Sequence, residues 1–299
     1  MVTIAPKEIF MDISNLHRAE VLVEALPYIR KYYGKVIVVK YGGNAMINED
    51  LKQQVMEDIV LLHLVGVKVV LVHGGGPEIN DMLKKIGKQA EFVDGLRVTD
   101  TETVEVVQMV LAGKINKTLV KLLESKGGNA MGLSGIDGCM LRCKVKDERL
   151  GYVGEITEVN VQPILDLLEK DYIPVISTVG SDLEGNTYNI NADTAAAYIA
   201  GALRAQRLIS MTDITGVMMD PKDPESVIPC IDLTDAKKLF DTGVISGGMI
   251  PKVQCCIDAI NYGVEKVTIL DGRVPHAVLM ELLTDEGAGT MVVKDKFSA

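Results

Sequence analysis

The sequence predicts an α/β protein whose central sheet is open, mainly parallel and covered by helices on both faces. Short β-branched apolar runs, typical of buried strands, alternate along the chain with amphipathic helical patterns. The first two of these strands are joined by a helical pattern at 49–65, which makes a βαβ unit with a right-handed crossover and parallel strands. Repetition of this alternation favours a sheet with helices on both sides.

The individual elements follow in chain order. We expect the main strands at 35–40, 68–72, 173–178, 207–211 and 267–270, and short antiparallel strands within 139–158. Helical patterns cover 49–65, 77–86, 101–125, a stretch from Pro163, 191–203, 234–242, 250–262 and a last stretch from Pro275. The segment 220–229 is rich in Pro and Asp and should be a loop.

A further helical pattern precedes the first strand. Residues 1–30 carry this periodicity with Pro27 inside it, which should kink or break the helix. The segment is either an ordinary packed helix or an arm that docks on another subunit, and its pattern leaves both interpretations open.

Composition limits the class of protein. A chain of 299 residues with 47% hydrophobic and 24% charged residues can form one large domain or two lobes. Its net charge of −10 argues against a nucleic-acid partner, which needs a basic face. An anionic substrate must therefore be attracted by local lysines and arginines rather than by the overall field.

The apolar runs and the cysteines indicate the compartment. The longest apolar run, 59–72, is interrupted by His63, Gly66 and Lys68, so we expect no membrane span. The five cysteines have no metal-finger spacing, and no signal peptide is recognisable. These features are typical of a protein of the reducing cytoplasm.

A strand that ends in three glycines is the first candidate binding feature. The run 69–72 leads into Gly74, Gly75 and Gly76, and Pro77 then opens a helix, where its missing N–H costs nothing. Glycines let the backbone approach a ligand closely, and the N–H groups at a helix start favour an anion. The motif is neither G-x-G-x-x-G nor a P-loop. It predicts an anion site, or else a tight turn without a ligand.

Two lysines and an aspartate add the charges that such a site could use. Lys40 ends the first strand beside a second glycine turn, so its ammonium should face the same crevice. Lys252 lies in the first turn of a helix and opposes the helix dipole, a local conflict typical of functional sites. Asp193 starts another helix, where capping is the simpler interpretation. Together these are the parts that phosphoryl transfer needs, since positioned charges supply most of its catalysis.

No general base is evident in the sequence. The four histidines, His17, His63, His73 and His276, form no cluster. A carboxylate acceptor has no proton to lose, whereas an alcohol acceptor usually needs a base nearby. The sequence therefore favours a carboxylate as the phosphoryl acceptor.

Five motifs stand in order along essentially the whole chain. They are KYGGNAM at 40–46, VHGGGPEI at 72–79, GLRVT at 95–99, NINAD at 189–193 and SGGMIPKV at 246–253. Together they resemble the N-acetylglutamate kinases of the amino-acid kinase family. The resemblance implies a three-layer αβα sandwich with an open, mainly parallel sheet. It also implies ATP- and Mg²⁺-dependent phosphorylation of the side-chain carboxylate of N-acetyl-L-glutamate in arginine biosynthesis.

The resemblance assigns roles to residues in these motifs. Lys40 and Lys252 would stabilise the transferring phosphoryl group, and Asp193 would position both lysines. Substrate contacts are implied for Gly43, Gly75, Gly76, Arg97 and Asn189. Nucleotide contacts are implied for Asp213, Thr215, Gly216, Ser246 and Gly247. No residue is implied as a dedicated metal ligand.

Both ends of the chain are similar to the arginine-inhibited branch of the family. ALPYIRKYYGK at 25–35 resembles the kinked N-terminal helix that interlaces dimers into a hexamer in that branch. HAVLMELLTDEGAGT at 276–290 resembles its arginine site. There Glu281 would pair with the guanidinium of arginine, His276 would contribute and the loop at Gly287 would close the pocket. This branch also admits a PII-type signal protein as a partner.

The implied organisation has three parts: an oligomerisation helix at 1–30, an amino-acid-substrate lobe at 31–180, and a nucleotide-binding lobe with the arginine site at 181–299.

Several other functions must be distinguished from N-acetylglutamate phosphorylation. A sibling kinase for N-acetyl-2-aminoadipate or a carrier-bound acyl-glutamate is close, because one methylene changes binding by only about 1–3 kcal/mol. Aspartate and carbamate kinases lack this set of motifs. A nucleotide-binding oxidoreductase needs G-x-G-x-x-G, which is absent. A non-catalytic sensor would not need Lys40, Asp193 and Lys252 together.

Overall fold

The computed structural model describes residues 14–296. Residues 1–13 of the predicted N-terminal segment and the last three residues of the predicted nucleotide lobe lie outside the described part. The helices are α1 Asn15–Glu24, α2 Leu26–Tyr32, α3 Glu49–Leu64, α4 Gly76–Lys85, α5 Thr101–Gln108, α6 Asn116–Ser125, α7 Gln162–Glu169, α8 Ala192–Ala202, α9 Leu233–Asp241, α10 Met249–Asn261 and α11 Ala277–Leu283. The strands are β1 Val36–Tyr41, β2 Lys68–His73, β3 Phe92–Val93, β4 Leu96–Arg97, β5 Ala130–Ser134, β6 Leu141–Val145, β7 Gly154–Val159, β8 Ile173–Ser177, β9 Val179–Ser181, β10 Thr187–Asn189, β11 Arg207–Thr212, β12 Cys230–Asp232, β13 Lys266–Asp271 and β14 Gly289–Val293.

The main sheet has eight strands in the order β12-β14-β13-β11-β1-β2-β8-β5. The six strands from β13 to β5 run parallel to one another. Strand β14 pairs antiparallel with β13, and β12 pairs parallel with β14. The predicted open, mainly parallel sheet is confirmed. The two strands that run in the opposite direction lie together at one edge.

Alternate residues of the central strands bury their side chains on opposite faces of the sheet. On β1, Ile37 and Val39 join the apolar cluster that includes α3, α6 and α11, whereas Val38 joins the cluster that includes α7, α8 and α10. The same alternation on β2 separates Leu71 from Val70. Because strands covered on both faces need apolar residues at every position, the continuous β-branched runs predicted this three-layer arrangement correctly.

The N-terminal helix is divided where Pro27 predicted it would be. Helices α1 and α2 meet at Ala25 and are bent by 34°. Pro27 lies in the first turn of α2, where its missing N–H interrupts no helical hydrogen bond. Helix α1 has no buried residue among those described. In a single chain it therefore stabilises no core.

Three smaller features differ from the sequence prediction. The helix expected over 101–125 is continuous but contains a π-helical segment, Met109–Ile115, between α5 and α6. The antiparallel strands expected within 139–158 are β6 and β7, which pair with β9 and β10 in a four-stranded sheet that was predicted only in part. The two-residue strands β3 and β4, the edge strands β5 and β12, and β14, which lies between β12 and β13, were not predicted.

All five cysteines are free thiols. Among residues 14–296, no helix combines the length and the apolar character needed to cross a membrane.

Candidate active site

The carboxyl ends of β1, β2 and β11 open into one crevice of about 470 Å³. This is the edge of a parallel sheet where ligands bind in open α/β folds, because the turns leaving the strands diverge there. Both glycine turns line the crevice, and so does the start of α8. The predicted site residues on its wall are Lys40, Gly43, Gly75, Gly76, Arg97, Asn189, Asp193, Asp213 and Lys252.

The two glycine turns let other groups come close to the backbone that lines the crevice. Gly43 has φ +71°, a left-handed conformation, and a Cβ atom there would overlap Oδ1 of Asp213. At the second turn, Gly75 and Gly76 open α4, with Pro77 in its first turn. The first N–H groups of a helix have no partner within the helix, so α4 presents donors at the crevice.

Lys40 and Asp193 form a buried ion pair at the centre of the site. The Lys40 Nζ atom lies 2.8 Å from Oδ1 of Asp193 and donates to the carbonyl oxygen of Met211 at 2.9 Å. Burial alone would raise the pKa of Asp193, but the charges of Lys40 and Lys252 outweigh it and hold that pKa below its usual range. Asp193 is therefore ionised at neutral pH. Asn191, rather than Asp193, caps α8.

Lys252 reaches the same crevice from α10, in whose first turn it lies as predicted. Its Nζ atom donates to Oγ1 of Thr212 at 2.6 Å, whereas the direct ion pair of Asp193 is with Lys40. The resemblance implied that Asp193 positions both lysines. In the structure Lys40 pairs with Asp193, whereas Lys252 is hydrogen-bonded to Thr212 at the end of β11.

Arg97 offers an unused donor to a ligand. One guanidinium nitrogen, Nη2, donates to the carbonyl oxygen of Gly76 at 3.2 Å, and the group lies 4.8 Å from the ring centre of Phe92. The other, Nη1, is buried without a hydrogen-bond partner in the described part of the chain. A buried donor without a partner costs free energy, and a bound carboxylate would satisfy it.

Asn189 is connected to Arg97 through Thr99. Its Nδ2 atom donates to Oγ1 of Thr99 at 3.2 Å, and Thr99 in turn donates to the carbonyl oxygen of Arg97 at 2.8 Å. Thr99 is fully buried. Thr99 does not cap α5, because the cap is the next residue, Asp100. A role in holding Asn189 could not have been inferred from the local pattern.

The net charge of the crevice lining is opposite in sign to that of the whole chain. Its described lining carries three cations, Lys40, Arg97 and Lys252, and two carboxylates, Asp193 and Asp213. The chain as a whole has a net charge of −10. The crevice can therefore attract an anion locally, as the composition required.

The other predicted nucleotide residues lie beside the crevice rather than on its described wall. Thr215 and Gly216 follow Asp213 in the loop after β11, where Gly216 is buried against Thr290. Ser246 and Gly247 are exposed in the loop that leads into α10 and Lys252. Both loops thus flank the end of the crevice formed by β11 and α10.

The predicted arginine site coincides with a second cavity of about 270 Å³ between α2, β11 and the start of β14. Glu281 and Gly287 line it, together with Tyr32 and Arg207. Glu281 is buried, and its Oε1 accepts hydrogen bonds from Nη1 of Arg207 at 3.2 Å and from Thr268 at 2.9 Å. The carboxylate that was expected to meet a ligand guanidinium thus pairs with a guanidinium of its own chain.

His276 lies at the start of α11. It does not belong to the described lining of this second cavity. Its Nδ1 atom lies 2.6 Å from Oδ1 of Asp58, a fully buried residue of α3. His276 therefore connects α11 to α3 instead of facing the cavity.

The fold and the crevice together define a phosphotransferase: a parallel α/β sheet brings two lysines, a carboxylate and two glycine turns to one edge. The chain belongs to the amino acid kinase family, whose sequence profile matches residues 35–271.

Similar proteins extend the comparison beyond that profile. An acetylglutamate kinase of Clostridium beijerinckii is 54% identical over 283 residues, which cover 94% of this chain and 99% of that protein. An acetylglutamate kinase of Caldanaerobacter subterraneus is 52% identical over 293 residues, 97% of each chain. The resemblance inferred from the five motifs is confirmed.

Solved structures share the fold at lower identity. N-acetylglutamate synthase from Neisseria gonorrhoeae, complexed with coenzyme A and N-acetyl-glutamate, matches with a TM-score of 0.81 at 24% identity. The match covers 93% of this chain but only 64% of the synthase. Giardia lamblia carbamate kinase bound to AMP-PNP matches with a TM-score of 0.65 at 18% identity, covering 88% of this chain and 99% of that one. At these identities the likeness concerns the fold alone.

Proposed function

We propose that this chain transfers the γ-phosphoryl group of ATP to the side-chain carboxylate of N-acetyl-L-glutamate, giving N-acetyl-L-glutamyl 5-phosphate for arginine biosynthesis. The observation that carries the proposal is the meeting of Lys40, Asp193 and Lys252 with the unpaired guanidinium nitrogen of Arg97 in one crevice. The near full-length identity to acetylglutamate kinases supports the choice of substrate.

The residues of the crevice suit an in-line transfer without a general base. A carboxylate oxygen of the acceptor forms the new bond to the γ-phosphorus as the bond to the bridging oxygen of ADP breaks, so no proton has to move. Negative charge spreads over the phosphoryl oxygens during transfer, and the ammonium groups of Lys40 and Lys252 stabilise it. The N–H groups at Gly43, Gly75 and Gly76 add fixed donors. Asp193 holds Lys40 in place through their ion pair.

Binding of the acceptor falls to the lobe formed by residues 31–180 together with the end of strand β10. Arg97 would take the α-carboxylate through Nη1, as a charge-assisted hydrogen bond, and Asn189 would hold the acetamido group. MgATP would occupy the side formed by residues 181–299, against Asp213, Thr215, Gly216, Ser246 and Gly247. Magnesium would enter as MgATP, since it binds mainly through phosphates and water. Within residues 14–296, no group of three or more His, Cys, Asp or Glu is placed to hold a metal ion.

The reaction is tested by trapping acyl phosphate as a hydroxamate, with ATP and Mg²⁺ present. N-acetylglutamate, N-acetyl-2-aminoadipate, glutamate and aspartate are compared side by side. We expect turnover with N-acetylglutamate alone. Preference for the substrate with one more methylene would reassign the chain to the sibling kinase, and the absence of acyl phosphate from every substrate would refute the proposed chemistry.

The lysine on β1 is the first residue to change in this assay. Lys40→Gln removes a buried cation next to the transferring group and should lower kcat by about 10²–10³-fold, as the loss of a preorganised charge does elsewhere. Lys35→Gln, at the exposed residue just before the same strand, is the matched control and should keep wild-type kcat. Equal activity of the two variants would contradict the role of Lys40.

We also propose that arginine inhibits by binding the cavity lined by Glu281, Gly287 and Tyr32. The supporting observation is that Glu281 already binds a guanidinium there, that of Arg207, so the cavity suits this group. Glu281→Ala should abolish arginine inhibition and leave turnover intact. Because that change leaves Arg207 buried without its partner, Glu281→Gln is the second variant. It should raise the arginine concentration for half-inhibition about 10–100-fold, as expected for one charge-assisted hydrogen bond. Inhibition retained by both variants would refute the assignment.

A further inference from the structure

Strand β11 contacts three of the charged groups of the crevice, Asp193, Lys40 and Lys252, through three consecutive residues. Ser210 Oγ donates to Oδ1 of Asp193 at 3.2 Å, and the Met211 carbonyl oxygen accepts from Lys40 Nζ at 2.9 Å. Thr212 Oγ1 accepts from Lys252 Nζ at 2.6 Å. β11 lies between β1 and β13 in the middle of the sheet, so its positions are fixed by hydrogen bonds on both sides.

Lys252 needs such a partner more than Lys40 does. It lies in the first turn of α10, where the helix dipole repels a cation, and Gly248 caps that helix without a side-chain hydrogen bond. A lysine side chain also loses considerable rotamer freedom when it is held in one position. Lys40, by contrast, is buried on a central strand and paired with Asp193. The ammonium of Lys252 is therefore the mobile one unless another group fixes it.

Thr212 has the properties of a fixed partner. It is buried at the end of β11, and its β-branched side chain has few rotamers available. Its hydroxyl oxygen accepts from the ammonium and leaves two other ammonium protons for a ligand. A group that is already in place when the substrate arrives contributes more to the transition state than one that must be ordered during the reaction.

We propose that Thr212 is the positioning residue of Lys252 and that Ser210 does the same for Asp193. The inference rests on the proposed phosphoryl transfer. On this assignment the side-chain hydroxyls of β11, and not Asp193 alone, set the distance between the two lysines. Neither hydroxyl touches the reacting atoms, so each acts through the charged group that it contacts.

The test compares Thr212→Val with Thr212→Ser. Valine keeps the branched shape of threonine without the hydroxyl, and serine keeps the hydroxyl without the methyl group. The valine variant should lower kcat about 10–100-fold, the effect of losing one hydrogen bond to a charged group. Its KM values for ATP and N-acetylglutamate should change little, and the serine variant should restore most of kcat. Ser210→Ala should lower kcat as well, by about 2–10-fold, because Asp193 keeps its ion pair with Lys40 when the hydroxyl of Ser210 is lost.

Thr103→Val is the matched control. Thr103 is also buried and its hydroxyl also contacts a charged side chain, that of Asp100, but it serves the start of α5 outside the crevice. This variant should keep wild-type kcat. A folded Thr212→Val enzyme with wild-type kcat, a serine variant as impaired as the valine variant, or an effect on KM alone would each overturn the inference.

A crystal structure of each Thr212 variant separates this inference from the proposed reaction. Lys252 Nζ should stay within hydrogen-bond distance of residue 212 in Thr212→Ser and leave that position in Thr212→Val. An ammonium that remains in place in the valine variant would overturn the positioning role, whatever the assay shows. A wild-type enzyme without turnover would instead count against the proposed reaction.

Discussion

Single glycines set the shape of the crevice in two different ways. Gly43 is needed for its left-handed backbone and for the approach of Asp213. Gly75 has an extended φ, so its requirement is one of space: a Cβ atom there would overlap Cδ1 of Ile115 and press on Leu111. Gly76, the next residue, has nothing within 4 Å of the position of a Cβ atom. Two adjacent glycines of one motif thus carry different constraints.

This difference predicts unequal effects on stability. Gly75→Ala should lower the free energy of unfolding by about 1–3 kcal/mol, because Ile115 and Leu111 are buried and must shift. Gly76→Ala, in the first turn of α4, should change it by no more than about 0.5 kcal/mol. Denaturant unfolding of the two variants beside the wild type measures both values. Equal destabilisation would show that the contact with Ile115 does not decide the requirement for glycine.

The residue scale also shows what sequence patterns could and could not predict. Lys40, Asp193, Lys252 and Arg97 were found because each conflicts with, or adds to, a local pattern and belongs to a recognisable motif. Thr212 carried no such signal, since a threonine at the end of a strand is ordinary. Contacts such as that between Thr212 and Lys252 join residues 40 positions apart. They depend on how elements pack, which periodicity does not specify.

At the scale of elements, α11 begins without a cap of its own. Its N-cap residue, His276, has φ +55° and makes no side-chain capping hydrogen bond. Asp58 of α3 supplies the acceptor instead: it binds His276 Nδ1 and accepts the backbone N–H of Leu279 in the first turn of α11. A carboxylate at a helix N-terminus is favourable. The helix that carries Glu281 is thus anchored to the other half of the molecule by one buried side chain.

This anchor predicts a pH-dependent contribution to stability. Burial raises the pKa of Asp58 to about 6, although the contacts with His276 and Leu279 oppose that shift. Because the carboxyl ionises less readily in the folded chain than in the unfolded chain, its contribution is complete below the unfolded pKa of about 4 and is lost as the pH rises through about 6. Relative to Asp58→Asn, which cannot titrate, the wild type should lose about 2 kcal/mol of stability between pH 4 and pH 7.

Chemical denaturation across that pH range tests the prediction. Asp50→Asn, at an exposed position of the same helix, is the control for removing a carboxylate without burial. A difference between wild type and Asp58→Asn that stays constant with pH would show that Asp58 does not titrate in this window.

The strands differ in how well local sequence predicts them. Strands with β-branched runs, such as β1, β2 and β11, were placed to within about two residues, the usual uncertainty of element ends. Strand β14 contains three β-branched residues, but it is only five residues long, begins with Gly289 and pairs with β13 along its whole length. Strands β3 and β4 have two residues each and are too short for any periodicity. Elements that depend on a neighbour for their stability leave little trace in local sequence.

At the scale of the whole molecule, the described chain leaves one element without a core. Helix α1 exposes Leu16 and Leu22, each at 71%, and has no buried residue among those described. A helix of ten residues is marginal in water without packing of an apolar face. Exposed leucines on a helix outside the core of its own chain are typical of an interaction surface. We infer that α1 packs against a second copy, as the resemblance to hexameric relatives implied for residues 1–30.

This inference predicts a loss of assembly when the helix is removed or made polar. Light scattering of the full chain should give the mass of six 32.4-kDa subunits, and deletion of residues 1–27 should leave a smaller particle. Leu22→Asp should have the same effect without truncation, because a charge buried at an interface costs more than an exposed one. Glu24→Gln, at an exposed polar position of the same helix, should leave the mass unchanged. If the truncated chain and Leu22→Asp both keep the mass of the full chain, α1 does not hold the assembly together, and its exposed leucines need another partner.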